Sequence, residues 1–110
     1  MGTRRLPQGA KRGVYTEYLR SISASYVQAT SGQRERSEDA GLLATTAEIE
    51  ILSGQHVARQ ARDLTNAVLD VHSRIAERTA VAEAAVEAVN QRRYEVIDLF
   101  KADLGIKERA

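Results

Sequence analysis

A chain of 110 residues fits one domain, and 17 of its 47 apolar residues are alanine, which leaves 30 larger ones for the whole molecule. Alanine-rich faces let helices approach closely but bury little area each, so a single copy is thinly stabilised and self-association is expected. There is no cysteine, which excludes disulfides and thiolate metal sites, and no apolar run approaches the ~20 residues that a bilayer span needs.

The opening residues Met1-Gly2-Thr3-Arg4-Arg5-Leu6 carry charge but no following apolar segment, unlike a secretory signal. Leu6 also stands where a myristoylation signal needs Ser or Thr, so a cytoplasmic location is expected. The net charge of +1 is unevenly spread: residues 1–36 sum to +5 and residues 37–110 to −4. Such a layout either steers partners and pairs copies head to tail, or reflects a solvated basic tail.

Residues 1–12 hold Pro7, Gly9 and four basic side chains and are expected to form a flexible basic arm. The first helix is expected over 13–31, because Tyr15, Tyr18, Leu19, Ile22 and Tyr26 fall on one stripe of a 3.6-residue repeat. The tyrosines are read as core residues with their hydroxyls at the rim. Gly32 is the expected left-handed cap. After the polar run 33–39, Ser37 is the expected N-cap of a second helix over 38–53, with Glu38 and Asp39 on the positive end of its dipole. That helix uses Leu42, Leu43, Thr46, Ile49 and Leu52. Ser53-Gly54 signals a break, with Ser53 able to cap the helix that follows.

From Gln55 to Leu104 there is neither glycine nor proline. Val57, Ala61, Leu64, Val68, Val71 and Ile75 step by alternate fours and threes, a coiled-coil-like seam. The stepping resumes at Ala82, Val86, Val89, Arg93, Val96 and Phe100, with one charge interrupting it at Arg93. Between the halves lies the polar run Glu77-Arg78-Thr79-Ala80. Either the chain turns near Thr79, which lets it cover its own seam, or one helix of ~75 Å runs through at 1.5 Å per residue and needs a second chain. The turn is preferred. Gly105 is expected to end the last helix, with Ile106 folding back on it.

The expected fold is therefore all-α, an antiparallel bundle of three to four helices near 13–31, 38–53, 55–78 and 80–104, with a seam and a basic arm. The single domain covers 13–106, and 107–110 form a tail.

Chemistry is tested residue by residue. No glycine pair has P-loop or dinucleotide spacing. His56 and His72 lie 16 residues apart without a metalloprotease-type pairing, and each is read as a helix-surface or seam-edge residue. Helical carboxylates are plentiful, but no Glu-x-x-His pair of the di-iron type occurs. Asp70–Arg74 and Glu17–Arg20 have the spacing of ordinary surface pairs, and Glu83 and Glu87 are read as exposed. No cofactor, metal or small-molecule substrate is expected, and no enzymatic activity.

The layout Tyr15-x-x-Tyr18-Leu19, then Ile49-x-Ile51-Leu52-Ser53-Gly54-x-x-Val57-x-x-x-Ala61-x-x-Leu64, then Tyr94-x-x-x-x-x-Phe100-x-x-x-Leu104-Gly105-Ile106, resembles small all-helical bacterial proteins. The resemblance covers roughly residues 13–106 and implies a helix break ahead of Val57. It implies no ligand and no catalytic residue.

The function expected is that of an interaction or assembly protein (adaptor, scaffold or inhibitor) that binds a protein partner or itself. The residues expected at its interface are Leu64, Val68, Val71, Ile75, Val86, Val89, Val96 and Phe100. The alternative is a nucleic-acid-binding accessory factor that contacts phosphates through Arg4, Arg5, Lys11, Arg12, Arg34 and Arg36. Docking of the basic arm on a membrane surface is the weaker third reading, because one short basic segment holds lipid only marginally.

Overall fold

The computed structural model describes residues 8–31, 36–77, 80 and 83–106, and for residues 8, 36 and 37 the backbone alone. Four helices follow one another: α1 (Gln8–Ser31), α2 (Arg36–Leu52), α3 (Gln55–Ala76) and α4 (Glu83–Asp103). No strand occurs among the described residues, and the helices pack on one another as an all-α bundle.

Contacts between helices fix their directions. Tyr18 of α1 meets Thr65 of α3, and seven residues further along each helix Ser25 meets His72, so α1 and α3 run parallel. Thr46 meets Thr65 while Glu50 meets Arg62, so α2 runs against α3. Lys11 meets Asp103 and Tyr15 stacks on Phe100, which sets α4 against α1. The path is up, down, up, down. The central element is α3, which packs against each of the other three.

The core forms where the four apolar stripes converge. Tyr15, Tyr18 and Ile22 come from α1, Leu42 and Ile49 from α2, Ala61, Leu64 and Val68 from α3, and Val96 and Phe100 from α4. Two rings sandwich the α1–α4 contact: Tyr15 lies parallel to Phe100 at 4.0 Å between centroids, and Tyr18 meets Phe100 edge-on at 5.8 Å. Both arrangements suit the ring quadrupole.

The turn expected near Thr79 is present, since α3 ends at Ala76 and packs against α4. Thr79 itself lies outside the described residues, as do Gly32 and the tail 107–110. At Gly105 (φ 75°) the Ile106 N–H reaches the Lys101 carbonyl at 2.9 Å and the Gly105 N–H reaches Ala102 at 3.1 Å. This Schellman closure satisfies the last carbonyls of α4. At the end of α1 the hydroxyls of Thr30 and Ser31 do the same work, bonding the carbonyls of Val27 and Gln28 at 2.9 Å.

Several boundaries differ from expectation, α3 ending at Ala76 and α4 starting at Glu83 among them, and two have a cause in the packing. The first is the start of α1, at Gln8 rather than 13, inside the stretch read as an arm. Gly9 and Gly13 face open space, so they cost propensity but obstruct nothing, while Lys11 and Tyr15 anchor that turn to α4. The second is the α2–α3 break. It falls at Ser53-Gly54 as expected, but the N-cap of α3 is Gly54, without a side-chain cap bond. Ser53 stands one residue ahead of the capping position, and its hydroxyl meets Tyr15. Similarly, α2 begins at Arg36, which puts Ser37 inside the helix.

Candidate functional site

The seam residues are the first to place. Leu64, Val68 and Val96 are fully buried, and Val71 and Phe100 nearly so. Ile75, Val86 and Val89 are half-buried. The turn after α3 brings α4 back onto this stripe, so these residues pack within the chain's own core. Heptad spacing states that a face is covered, not by whom.

The six basic residues of the nucleic-acid alternative are not gathered into one patch among the described residues. Arg4, Arg5 and Arg34 lie outside them, and so does the side chain of Arg36. Lys11 lies 3.2 Å from Asp103, bound into the α1–α4 contact, and Arg12 is exposed beside it on α1.

Two polar clusters, neither foreseen, hold the helices in register. In the first, Tyr18 donates to the Ala61 carbonyl at 2.8 Å and meets Thr65 at 2.9 Å. Thr65 in turn meets Thr46 at 2.8 Å, and Thr46 bonds the Leu42 carbonyl at 2.7 Å. With Tyr18 and Thr46 donating to carbonyls, the single Thr65 proton goes to one of its two hydroxyl neighbours at a time, in a place where Tyr18, Thr46 and Thr65 have no exposure at all. Burial pushes the Tyr18 phenol up to about 12. In the second cluster, Tyr15 donates to Asp103 at 2.5 Å, which leaves its oxygen to accept from Ser53 at 2.5 Å. Burial first, and then the Asp103 carboxylate, push the Tyr15 phenol up to about 12. Both phenols are held protonated at neutral pH, so neither acts as a base. The clusters act as clamps: one joins α1, α2 and α3, the other joins α1, the α2–α3 break and α4.

Of the two places expected for His72, helix surface or seam edge, the surface is excluded. His72 is buried, its Nδ1 lies 2.8 Å from the Ser25 hydroxyl, and its ring is tilted against Tyr26 at 5.5 Å. His56 is exposed, as expected. Among the described residues no three acidic, His or Cys side chains are grouped as a metal would need. The expected surface pairs are present: Glu17–Arg20 at 3.6 Å and Asp70–Arg74 at 3.5 Å. A third pair, Glu50–Arg62, links α2 to α3, and the guanidinium holds the Glu50 carboxyl below its ordinary value.

What remains uncovered is the outside of α2. Leu42, Thr46 and Ile49 face the core, and on the opposite side Ala40, Leu43, Ala44, Ala47 and Ile51 are all exposed. Their spacing of i, i+3, i+4, i+7 and i+11 makes them one stripe. Leu43 is 41% exposed and Ile51 80%. No charge falls within the stripe, and of the two carboxylates that border it, Glu50 is already paired with Arg62. Leu43, expected on the packing stripe with Leu42 and Ile49, lies instead on this outer face, because it is about 100° round the helix from Leu42.

The fold and its surfaces define an all-α, up-and-down four-helix bundle, and among the described residues no helix is long and apolar enough to cross a membrane. The chain matches no protein-family model, no curated protein and no solved structure.

Proposed function

We propose that the chain is a non-enzymatic helical assembly protein, which pairs with a second copy of itself through the outer face of α2. One observation carries the reading: α2 is apolar on both of its long faces. A helix of that kind belongs inside a larger assembly, and a single copy of this chain covers only one side of it. The three alanines of the stripe leave room for a facing backbone to come close, while Leu43 and Ile51 supply the bulk. A symmetric pair presents the same stripe twice, which is the commonest way soluble chains associate. One helix face spanning residues 40–51 is about 18 Å long at 1.5 Å per residue, less than a standard interface uses, so the pairing is weak and concentration-dependent.

Light-scattering mass across a dilution series tests it. The wild-type chain is expected to approach twice its 12.1 kDa mass at high concentration and to fall towards one copy on dilution. Ile51→Glu with Ala47→Glu should give one copy throughout, with unchanged helical circular dichroism, since neither side chain touches the core. A wild-type mass of one copy at every concentration, up to hundreds of micromolar, would overturn the reading.

A further inference from the structure

The α4 seam is apolar at every step but one, and the exception is Arg93. In the folded chain this side chain is half-buried, with its Nε enclosed and lacking any hydrogen-bond partner. Among the described residues no carboxylate pairs with it. An enclosed donor on a charged group is normally satisfied, so this one calls for a reason. The surroundings supply it. Arg93 borders a cavity of about 330 Å³ between α1 and α4, floored by His72 of α3. Ile22 of α1 and Val86 and Val89 of α4 give the cavity apolar walls, and Asn90 sits one turn from Arg93 as a second polar group. Among the described residues no acidic side chain lines it. Ser25 holds the His72 ring in place through Nδ1, so the floor is rigid.

An apolar cavity with a single fixed cation and no counter-charge describes its own ligand. The cation calls for one negative charge, and the flat guanidinium fork matches a carboxylate. A phosphate dianion would meet too little positive charge here. The volume lies at the lower end for ligand sites, so the rest of the ligand is one ring or a short chain. We propose that the α1–α4 cavity binds a small monocarboxylate with an apolar body, the carboxylate on Arg93 and the body against Ile22, Val86 and Val89. None of the lining residues belongs to α2, so the site stands apart from the face proposed for self-assembly.

The test uses the full chain and two probes, 3-phenylpropionate and octanoate, followed by backbone and side-chain NMR. Each probe that fits should shift the signals of Ile22, His72, Val86 and Val89 with saturation below the millimolar range. The uncharged 3-phenylpropanamide should bind about tenfold more weakly or worse, because it leaves the guanidinium without its ion pair. Acetate, which has the charge but no body, should shift nothing in the walls. Arg93→Gln should lose the preference for the acid over the amide, while Ile51→Glu should leave binding unchanged and so separate this site from the α2 face. The proposal is overturned if neither acid shifts these signals at millimolar concentration, if the amide binds as well as the acid, or if Arg93→Gln keeps the preference.

Discussion

Tyr15 and Tyr18 show how a side chain placed by an apolar repeat comes to do a polar task. The rings fall on the buried stripe of α1, and once there the hydroxyls must find partners or forfeit the water they left. Tyr15 finds Ser53 and Asp103, and Tyr18 finds Ala61 and Thr65. Each phenol is raised from 10.0 to about 12, so the folded chain binds these protons more tightly than the unfolded one. The stability they contribute is whole below pH 10 and is lost as pH rises from 10 through about 12. Titration followed by tyrosinate absorbance should therefore show two late phenols, with Tyr15→Phe and Tyr18→Phe each removing one, and denaturant unfolding should weaken across the same window. A second prediction concerns coupling. Tyr18→Phe alone should cost about 1–2 kcal/mol, since it takes a partner from a buried hydroxyl. Combined with Thr65→Val the loss should be less than the sum of the two single changes, measured by urea unfolding of all four chains. Strict additivity would mean that the hydroxyl chain is not a unit.

At the scale of the helix, the α2–α3 break is instructive because it was expected at the right residues for an incomplete reason. Ser53 has the chemistry of an N-cap, yet the capping position falls one residue later, at Gly54, and the Ser53 hydroxyl meets Tyr15, 38 residues earlier in the chain. Gly54 is left as the cap with φ −64° and ψ 161°, an extended conformation open to any residue, and its missing Cβ would meet nothing within 4 Å. Gly54→Asp is therefore expected to stabilise the chain by about 0.5–1 kcal/mol, by bonding an orphan N–H, opposing the dipole and stiffening the unfolded chain. Thermal and denaturant unfolding measure this directly. A neutral or negative effect would mean that the first turn of α3 is already satisfied. Local signals of this type were readable: the Gly105 closure, the break at 53–54, the α3 stripe and the α1 stripe as far as Ile22 follow from residues near in sequence, whereas Tyr26, expected on the same stripe, is exposed. The start of α1 at Gln8 was not, because its glycines and charges argue against a helix, and the contact that favours one, Lys11 with Asp103, joins residues 92 apart. Burial of Thr46 follows from its place on the α2 stripe, whereas that of Ser25, Thr65 and His72 was hidden, since each polar group looks solvent-facing until its partner on another helix is known.

The molecule measures 55 × 34 × 20 Å, long for its size and two helix layers thick, so each helix has an outer side with nothing behind it. On α1, α3 and α4 that side is mostly polar. On α2 it is not, and that contrast, not the seam, is what sets one surface apart. Spacing alone could say that Leu64 and Val68 would be hidden, but whether by the same chain or by another depended on the faint signal at 77–80. The interruption at Arg93 was legible as an oddity. That it faces a cavity was not, since the cavity takes its walls from helices some 70 residues apart in sequence.

An even number of alternating helices returns the chain to the side where it began, and here the return is close enough for Lys11 and Asp103 to touch at 3.2 Å. The order in which the helices are strung is then a matter of wiring. A circular permutant that links the two existing ends through a short Gly/Ser bridge and opens between Ala76 and Glu83 should keep every buried contact. Its α4 would precede α1 and form a new hairpin with it, around the stack of Tyr15 on Phe100. Circular dichroism and unfolding of the permutant should match the parent to within about 1–2 kcal/mol. Failure to fold would mean that the α3–α4 connection does more than join its helices.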